Sequence, residues 1–275
     1  MNRDTLRRFA YIETCLYWGG GINASQISET FEITRQNAQK CLDAYRVLLP
    51  NQMSYNASLK RHFATDAFKP QYISTQPELY LDYMRGNQLA AYYWLEDEWG
   101  GLRVVDIDRL FRTHLDRQVV HQIINAISSH QALLIDYHSK SQLHKLTISP
   151  NRLVYTSRRY HVRVYCHNWK KYIDIVLSRV FKTQLDTEEW IDGAADQEWH
   201  SPLTLYFMPN PELPEQLRQT LLIDHRSKLN DVSQGSEILT IQTCKALKGY
   251  VMREMERVDW RYKMRLWLLV GGEKL

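Results

Sequence analysis

Residues 159–167 read RYHVRVYCH, and their period of two decides how the middle of the chain folds. Alternation sends Tyr160, Val162, Val164 and Cys166 to one face of a strand. Arg159, His161, Arg163, Tyr165 and His167 go to the other. The first set suits a core. The second holds planar, fork-shaped donors for a phosphate or carboxylate and a ring on which a base could stack. A plainly solvated face is the alternative.

Outward from that strand the same period continues. Strands are predicted at 132–138, 143–148, 151–156, 159–167 and 172–181, with turns at Ser139-Lys140-Ser141, Pro150, Thr156-Ser157-Arg158 and Asn168-Trp169-Lys170. Five short, closely connected strands suggest a small barrel. Arg152, Ser178 and Arg179 on flanking strands join or support the Arg159 face.

Charge is concentrated in the same block. Residues 121–183 carry 10 basic and 2 acidic side chains, against 6 and 9 in 66–120 and 11 and 15 in 184–275. A strongly basic module between acidic neighbours predicts a localised surface that attracts anions. Apolar residues at 44% and charged residues at 24% exclude a disordered chain, and the 275 residues predict two or three domains. No apolar run reaches the roughly 18 residues of a membrane span. The charged start, MNRDTLRRFAYIETC, lacks a signal-peptide core, so a soluble cytoplasmic protein is expected. Cys15, Cys41, Cys166 and Cys244 lie far apart with no CxxC pair, which predicts buried free thiols and no metal site.

The first 75 residues follow a helical period. A helix is expected at 4–18 with Leu6, Phe9, Ala10 and Leu16 on one stripe, ended by Gly19-Gly20-Gly21. Asn23 caps a short second helix to about Phe31, burying Ala24, Ile27 and Phe31. Thr34 caps a third, with Ala38, Cys41, Leu42, Tyr45, Leu48 and Leu49 as its apolar positions. Its other face shows Arg35, Gln36, Gln39, Lys40 and Asp43. Two short helices with a tight turn, the second opening on Arg and Gln, form a helix-turn-helix pattern. Such a helix enters the major groove amino end first, where Arg bonds guanine and Gln or Asn bonds adenine. Ser25, Thr34 and Asn37 would bond phosphates. QMSYNASLKRHFAT (52–65) then reads as two strands around Asn56-Ala57-Ser58, a wing bringing Lys60, Arg61 and His62 to the DNA backbone.

Residues 76–130 read as a mainly helical connector. Pro77 opens one helix, Asp116 to His130 forms an amphipathic second, and Trp94, Trp99 and neighbouring acidic residues suit a connector or dimer surface better than a catalytic site. The acidic stretch 186–198 marks a boundary. Beyond it lie strand signals at 203–208, 237–242 and 263–270 and helix signals at 211–222 and 244–256, a small α+β sandwich over 198–275.

YHSKS (137–141), ISPNRLVY (148–155), RRYHVRVYC (158–166) and YIDIVLSRV (172–180) resemble a WYL domain. With AFKPQYIS (67–74) and the helix-turn-helix, nearly the whole chain resembles the WYL-containing transcriptional regulators associated with bacterial phage-defence systems of BREX and CBASS type. The family's Trp-Tyr-Leu stands here as Tyr160-His161-Val162. The resemblance implies a multidomain α+β chain. Its parts are a winged helix-turn-helix (1–75), a helical connector (76–130), an Sm-like or SH3-like WYL barrel (131–185) and a carboxy-terminal extension making dimer contacts. It implies a homodimeric repressor on a pseudo-palindromic operator, and a small anionic or nucleotide-like effector held by Tyr137, Ser139, Arg159, His161, Arg163 and Arg179. No cofactor is implied.

Enzyme signatures are missing: there is no GxSxG, Walker, HExxH or dinucleotide fingerprint. His161 and His167 sit among arginines, which disfavour a bound cation. An RNA-binding adaptor using the basic barrel is the remaining alternative.

Overall fold

The computed structural model describes residues 3–85, 107–111, 113–225 and 238–273. It divides into two units, Met1–Ile191 and Asp192–Leu275.

The first unit opens with α1 (Arg3–Trp18), α2 (Ala24–Phe31) and α3 (Arg35–Leu48), followed by the ribbon β1 (Met53–Asn56) and β2 (Arg61–Ala64). Helix α1 has two apolar faces. Phe9, Ile12 and Leu16 pack with Ile27, Ala38, Leu42 and Tyr45 in a small winged-helix core. Ala10 and Trp18 instead join a larger core with Tyr80, Leu81 and the sheet below. Leu48, expected in the α3 stripe, is 52% exposed, because the buried row ends at Tyr45 one turn earlier.

Helix α4 (Pro77–Met84) starts with Pro77 in its first turn, where a missing N–H is harmless. Helix α5 (Arg117–Ser129) is bounded as its sequence suggests: the Asp116 carboxylate accepts from Val119 N, and His130 ends it in the left-handed region. Val119, Val120 and Ile123 are almost fully buried, each contributing roughly 1.5–3 kcal/mol. Trp94 and Trp99 lie outside the described residues.

The five strands that follow are β3 (Leu133–His138), β4 (Leu143–Thr156), β5 (Arg159–Cys166), β6 (Lys171–Val176) and β7 (Val180–Leu185). They form one antiparallel sheet in the order β6-β5-β4-β3-β7. Three expectations are corrected here. Pro150 does not make a turn: β4 runs unbroken from 143 to 156, with Pro150 still opposite Val164 and Asn151 bulged out beside it. The strand expected at 172–181 is two strands, broken by a 3-10 turn at Leu177–Arg179. The ladder is also open rather than a closed barrel, since β6 and β7 are its two edges. The β4–β5 turn has Ser157 and Arg158 both at positive φ, 47° and 63°, the backbone of a tight two-residue hairpin.

The second unit holds β8 (Pro202–Pro209), α6 (Glu215–Asp224), β9 (Leu239–Cys244), α7 (Lys248–Met255) and β10 (Trp267–Glu273), with a three-stranded sheet ordered β10-β8-β9. Leu205, Phe207, Leu239 and Trp267 make its core. Its last strand begins at Trp267 rather than 263, because Asp259 holds a turn by accepting from the Arg261 and Tyr262 amides.

Candidate nucleic-acid interface

The turn into α2 is fixed by one glycine. Gly21 sits at φ +82°, and a Cβ there would stand 2.5 Å from the His62 carbonyl oxygen. That closeness lets Ile22 and His62 exchange both backbone hydrogen bonds, at 2.9 and 2.8 Å, tying the ribbon to the start of α2. Asn23 and Gln26 form a reciprocal capping box. Glu32 closes α2 at φ 52°, and the Ser28 hydroxyl donates to Ile33 O at 2.6 Å, setting the angle to α3.

Thr34 caps α3 by accepting from Asn37 N at 3.3 Å. Ala38, Cys41, Leu42 and Tyr45 bury one side, so Arg35, Gln36, Asn37, Gln39 and Lys40 are all exposed on the other. Gln39 donates to Asp43 at 3.2 Å; among the described residues Arg35, Gln36 and Lys40 have no side-chain partner. Ser25 is half-buried in the first turn of α2. On the ribbon Lys60 is exposed and Arg61 donates to the Gly20 carbonyl at 3.2 Å. His62 does not reach out: it is 8% exposed, and burial, then the nearby Arg46 charge, lowers its pKa. This corrects its expected place at the DNA backbone, because its ring packs 5.0 Å from Tyr55.

The registers of β4, β5 and β6 set Arg152 opposite Arg163 and Arg163 opposite Asp174. His161 stands between Val154 and Val176 on the same face. Both faces of β5 are covered. Arg163 is 4% exposed with Asp174 at 3.4 Å, and His161 is 5% exposed. Arg152 and Arg159 are exposed, and Ser178 and Arg179 half-buried on the 3-10 turn. Tyr137 lies on the core face, where its hydroxyl accepts from Val176 N at 3.4 Å. Ser139 organises the exposed β3–β4 turn instead, accepting from Ser141 N and Gln142 N and meeting His144 at 3.1 Å. The register thus sets Arg152 beside Arg163, and Ser139 is bonded within its own turn.

Three features escaped the sequence reading. Glu13 is fully buried, its carboxylate accepting from Gln71 N, Tyr72 N and the Tyr45 hydroxyl at 2.6–3.1 Å. Burial raises its pKa, and those hydrogen bonds lower it less. Its position between Phe9 and Leu16 on the buried stripe was the available signal. Second, Asp82, 1% exposed, accepts from Arg85 at 3.0 Å and from the Tyr160 hydroxyl at 2.9 Å, while Arg85 lies 3.5 Å over the Tyr155 ring. Third, residues 186–191 form a strap along β4. Trp190 stacks on His130 and donates to Pro150 O at 3.1 Å, and Asn151 donates to Ile191 O at 3.2 Å.

The strap also completes a Ser149–His167–Glu188 row, at 2.9 and 4.0 Å. It lacks what a nucleophile needs: Ser149 is 0% exposed, and its oxygen already accepts from Ile191 N. Among the described residues no cluster of three or more His, Cys, Asp or Glu side chains could hold a metal ion, and no helix is long and apolar enough to cross a membrane.

Two family models and several curated relatives match the chain. Residues 4–86 match the BrxR transcriptional regulator winged helix-turn-helix domain, and residues 118–185 the WYL domain. The DNA-binding transcriptional repressor CapW of Escherichia coli strain KTE188 is 31% identical over 214 residues, covering 75% of this chain and 70% of the relative. CapW of Pseudomonas aeruginosa is 26% identical over 222 residues, covering 78% and 73%. The solved structure of proteasome accessory factor B/C of Arthrobacter aurescens aligns at TM-score 0.26 and 14% identity, and the chain spans 46% of its length. A winged helix-turn-helix and a WYL domain in one chain define a class of transcriptional regulators. Within it, this chain belongs to the CapW family of DNA-binding transcriptional repressors.

Proposed function

We propose that the protein is a homodimeric repressor of a phage-defence operon, its own promoter included, whose grip on DNA responds to an anionic or nucleotide-like effector. The observation that carries the reading is the amino end of α3. Arg35, Gln36, Asn37, Gln39 and Lys40 stand exposed on one side while the opposite side is locked in the core. Arg35 and Gln36 read base edges in the major groove, and Ser25, Thr34, Asn37, Lys60 and Arg61 hold phosphates. Each copy reads half of a two-fold operator, with 76–130 and 198–275 supplying dimer contacts. Arg152, Arg159 and Arg179, supported by His161, Arg163 and Ser178, bind the effector. Tyr137, held in the core, and Ser139, bonded within the β3–β4 turn, take no part. Effector binding changes operator affinity by favouring one dimer geometry.

Footprinting on the DNA upstream of the protein's own gene tests this. Protection should be two-fold symmetric, vanish with Arg35→Ala plus Gln36→Ala, and weaken steeply with salt as counterions are released. Unchanged protection by the double variant would remove α3 from the interface.

A second reading is favoured by Trp169, 42% exposed beside His144 and followed by Lys170 and Lys171. Such a ring suits stacking by single-stranded RNA. Tighter binding of single-stranded RNA than of duplex DNA would support it.

A further inference from the structure

The ribbon ends in a side chain that α3's chemistry does not explain. Leu59, at the tip of the β1–β2 turn, is 61% exposed, and Tyr55 on β1 is 58% exposed. Neither belongs to a hydrophobic core. A lone exposed leucine is ordinary, but three observations set this one apart.

The tip is rigid. Asn56 accepts from Leu59 N at 3.0 Å, and Lys60 holds φ 52° to turn the chain into β2. The base is hydrogen-bonded as well. Ile22 and His62 are bridged, Thr65 donates to Asn51 O at 2.5 Å, and the Gln52 side chain accepts from Lys69 N at 2.7 Å. The backbone that carries Leu59 is therefore tied at both ends of the ribbon, which lowers the ordering cost of burying that side chain. Finally, the ribbon and its turn, residues 53–64, hold Lys60 and Arg61 and no carboxylate. The ribbon's charge suits a phosphate-lined partner.

On such a partner an aliphatic side chain cannot bond phosphate. Its uses are contact with the groove floor and wedging between base steps, which partly unstacks and bends the duplex. We propose that Leu59 is an apolar wedge, inserted into the minor groove flanking the α3 contact, with Lys60 neutralising the adjacent phosphate. It reads groove shape and step flexibility rather than base hydrogen bonds, favouring sites without a guanine 2-amino group on the groove floor. This inference rests on the operator-binding reading above.

The test uses the full chain and a duplex recovered by in vitro selection on the wild-type protein. Leu59→Ala should lower affinity about tenfold and reduce the bend measured by circular-permutation mobility. Leu59→Met should keep both. Replacing guanine by inosine under the ribbon should tighten wild-type binding and leave Leu59→Ala unchanged. Equal affinity and bend for Leu59→Ala would overturn the wedge alone. So would loss of the dimer by Leu59→Ala in sedimentation with the bend retained, since the tip would then be a protein contact. Recovery of no duplex by wild type would overturn the operator reading and the wedge together.

Discussion

The Tyr160 hydroxyl donates to the Asp82 carboxylate at 2.9 Å, and through that bond the WYL sheet holds the end of the segment that matches the winged-helix domain. Arg85 braces the pair, donating to the Tyr160 oxygen at 2.9 Å and to Asp82 at 3.0 Å. With Trp18 stacked on Tyr80 at 4.5 Å, the reading head and the sheet share a polar clasp as well as a core.

Tyr160→Phe keeps the ring and removes the donor, leaving a buried carboxylate one hydrogen bond short. The expected loss is about 1–2 kcal/mol in urea unfolding. Asp82→Asn in the Tyr160→Phe background should add less than it does alone, because the two act as a unit.

Glu13 makes stability depend on pH. Its pKa is raised in the fold, so its contribution is fully present below the unfolded carboxylate pKa and is lost as pH rises through the raised value. Glu13→Gln loses the acceptor for part of the Gln71 and Tyr72 amides, and about 1–3 kcal/mol with it. The gap between wild type and Glu13→Gln should be widest at the acidic end and narrow toward neutral pH. A gap that widens with rising pH would contradict the assignment.

Gly21→Ala forces a Cβ against the His62 carbonyl at a positive φ. The expected loss exceeds about 1 kcal/mol, with a lower melting temperature and weaker operator binding in the same variant.

The arginines of β5 should part company. Arg163 is buried against Asp174, so Arg163→Ala should cost about 3–5 kcal/mol by stranding a charge. Exposed Arg159 replaced by Ala should stay within about 0.5 kcal/mol. A loss of effector response in Arg159→Ala is therefore the cleaner probe of the ligand surface, with thermal melting as the control.

Local chemistry made α2, α3 and α5 legible. Asn23, Thr34 and Asp116 cap them as their types suggest, and the exposed row on α3 follows from the period of 3.6. What was not legible depended on partners distant in sequence. Pro150 reads as a turn until its pairing opposite Val164 on β5 is known, and nothing near residue 163 announces that both faces of β5 are covered. Leu177–Arg179 looks like continued strand because its side chains keep strand chemistry while its backbone turns. Glu13 was readable in principle. A carboxylate on the apolar stripe of α1 needs buried donors, and the amides of Gln71 and Tyr72 supply them from far along the chain.

The strap bears on how the molecule can be cut for study. The WYL match ends at residue 185, yet Trp190, Ile191 and their bonds to Ser149, Pro150 and Asn151 lie beyond it. A fragment stopped at 185 would uncover the middle of β4 and lose the stacking ring on His130, inviting aggregation. A fragment carried through Ile191 keeps the first unit whole.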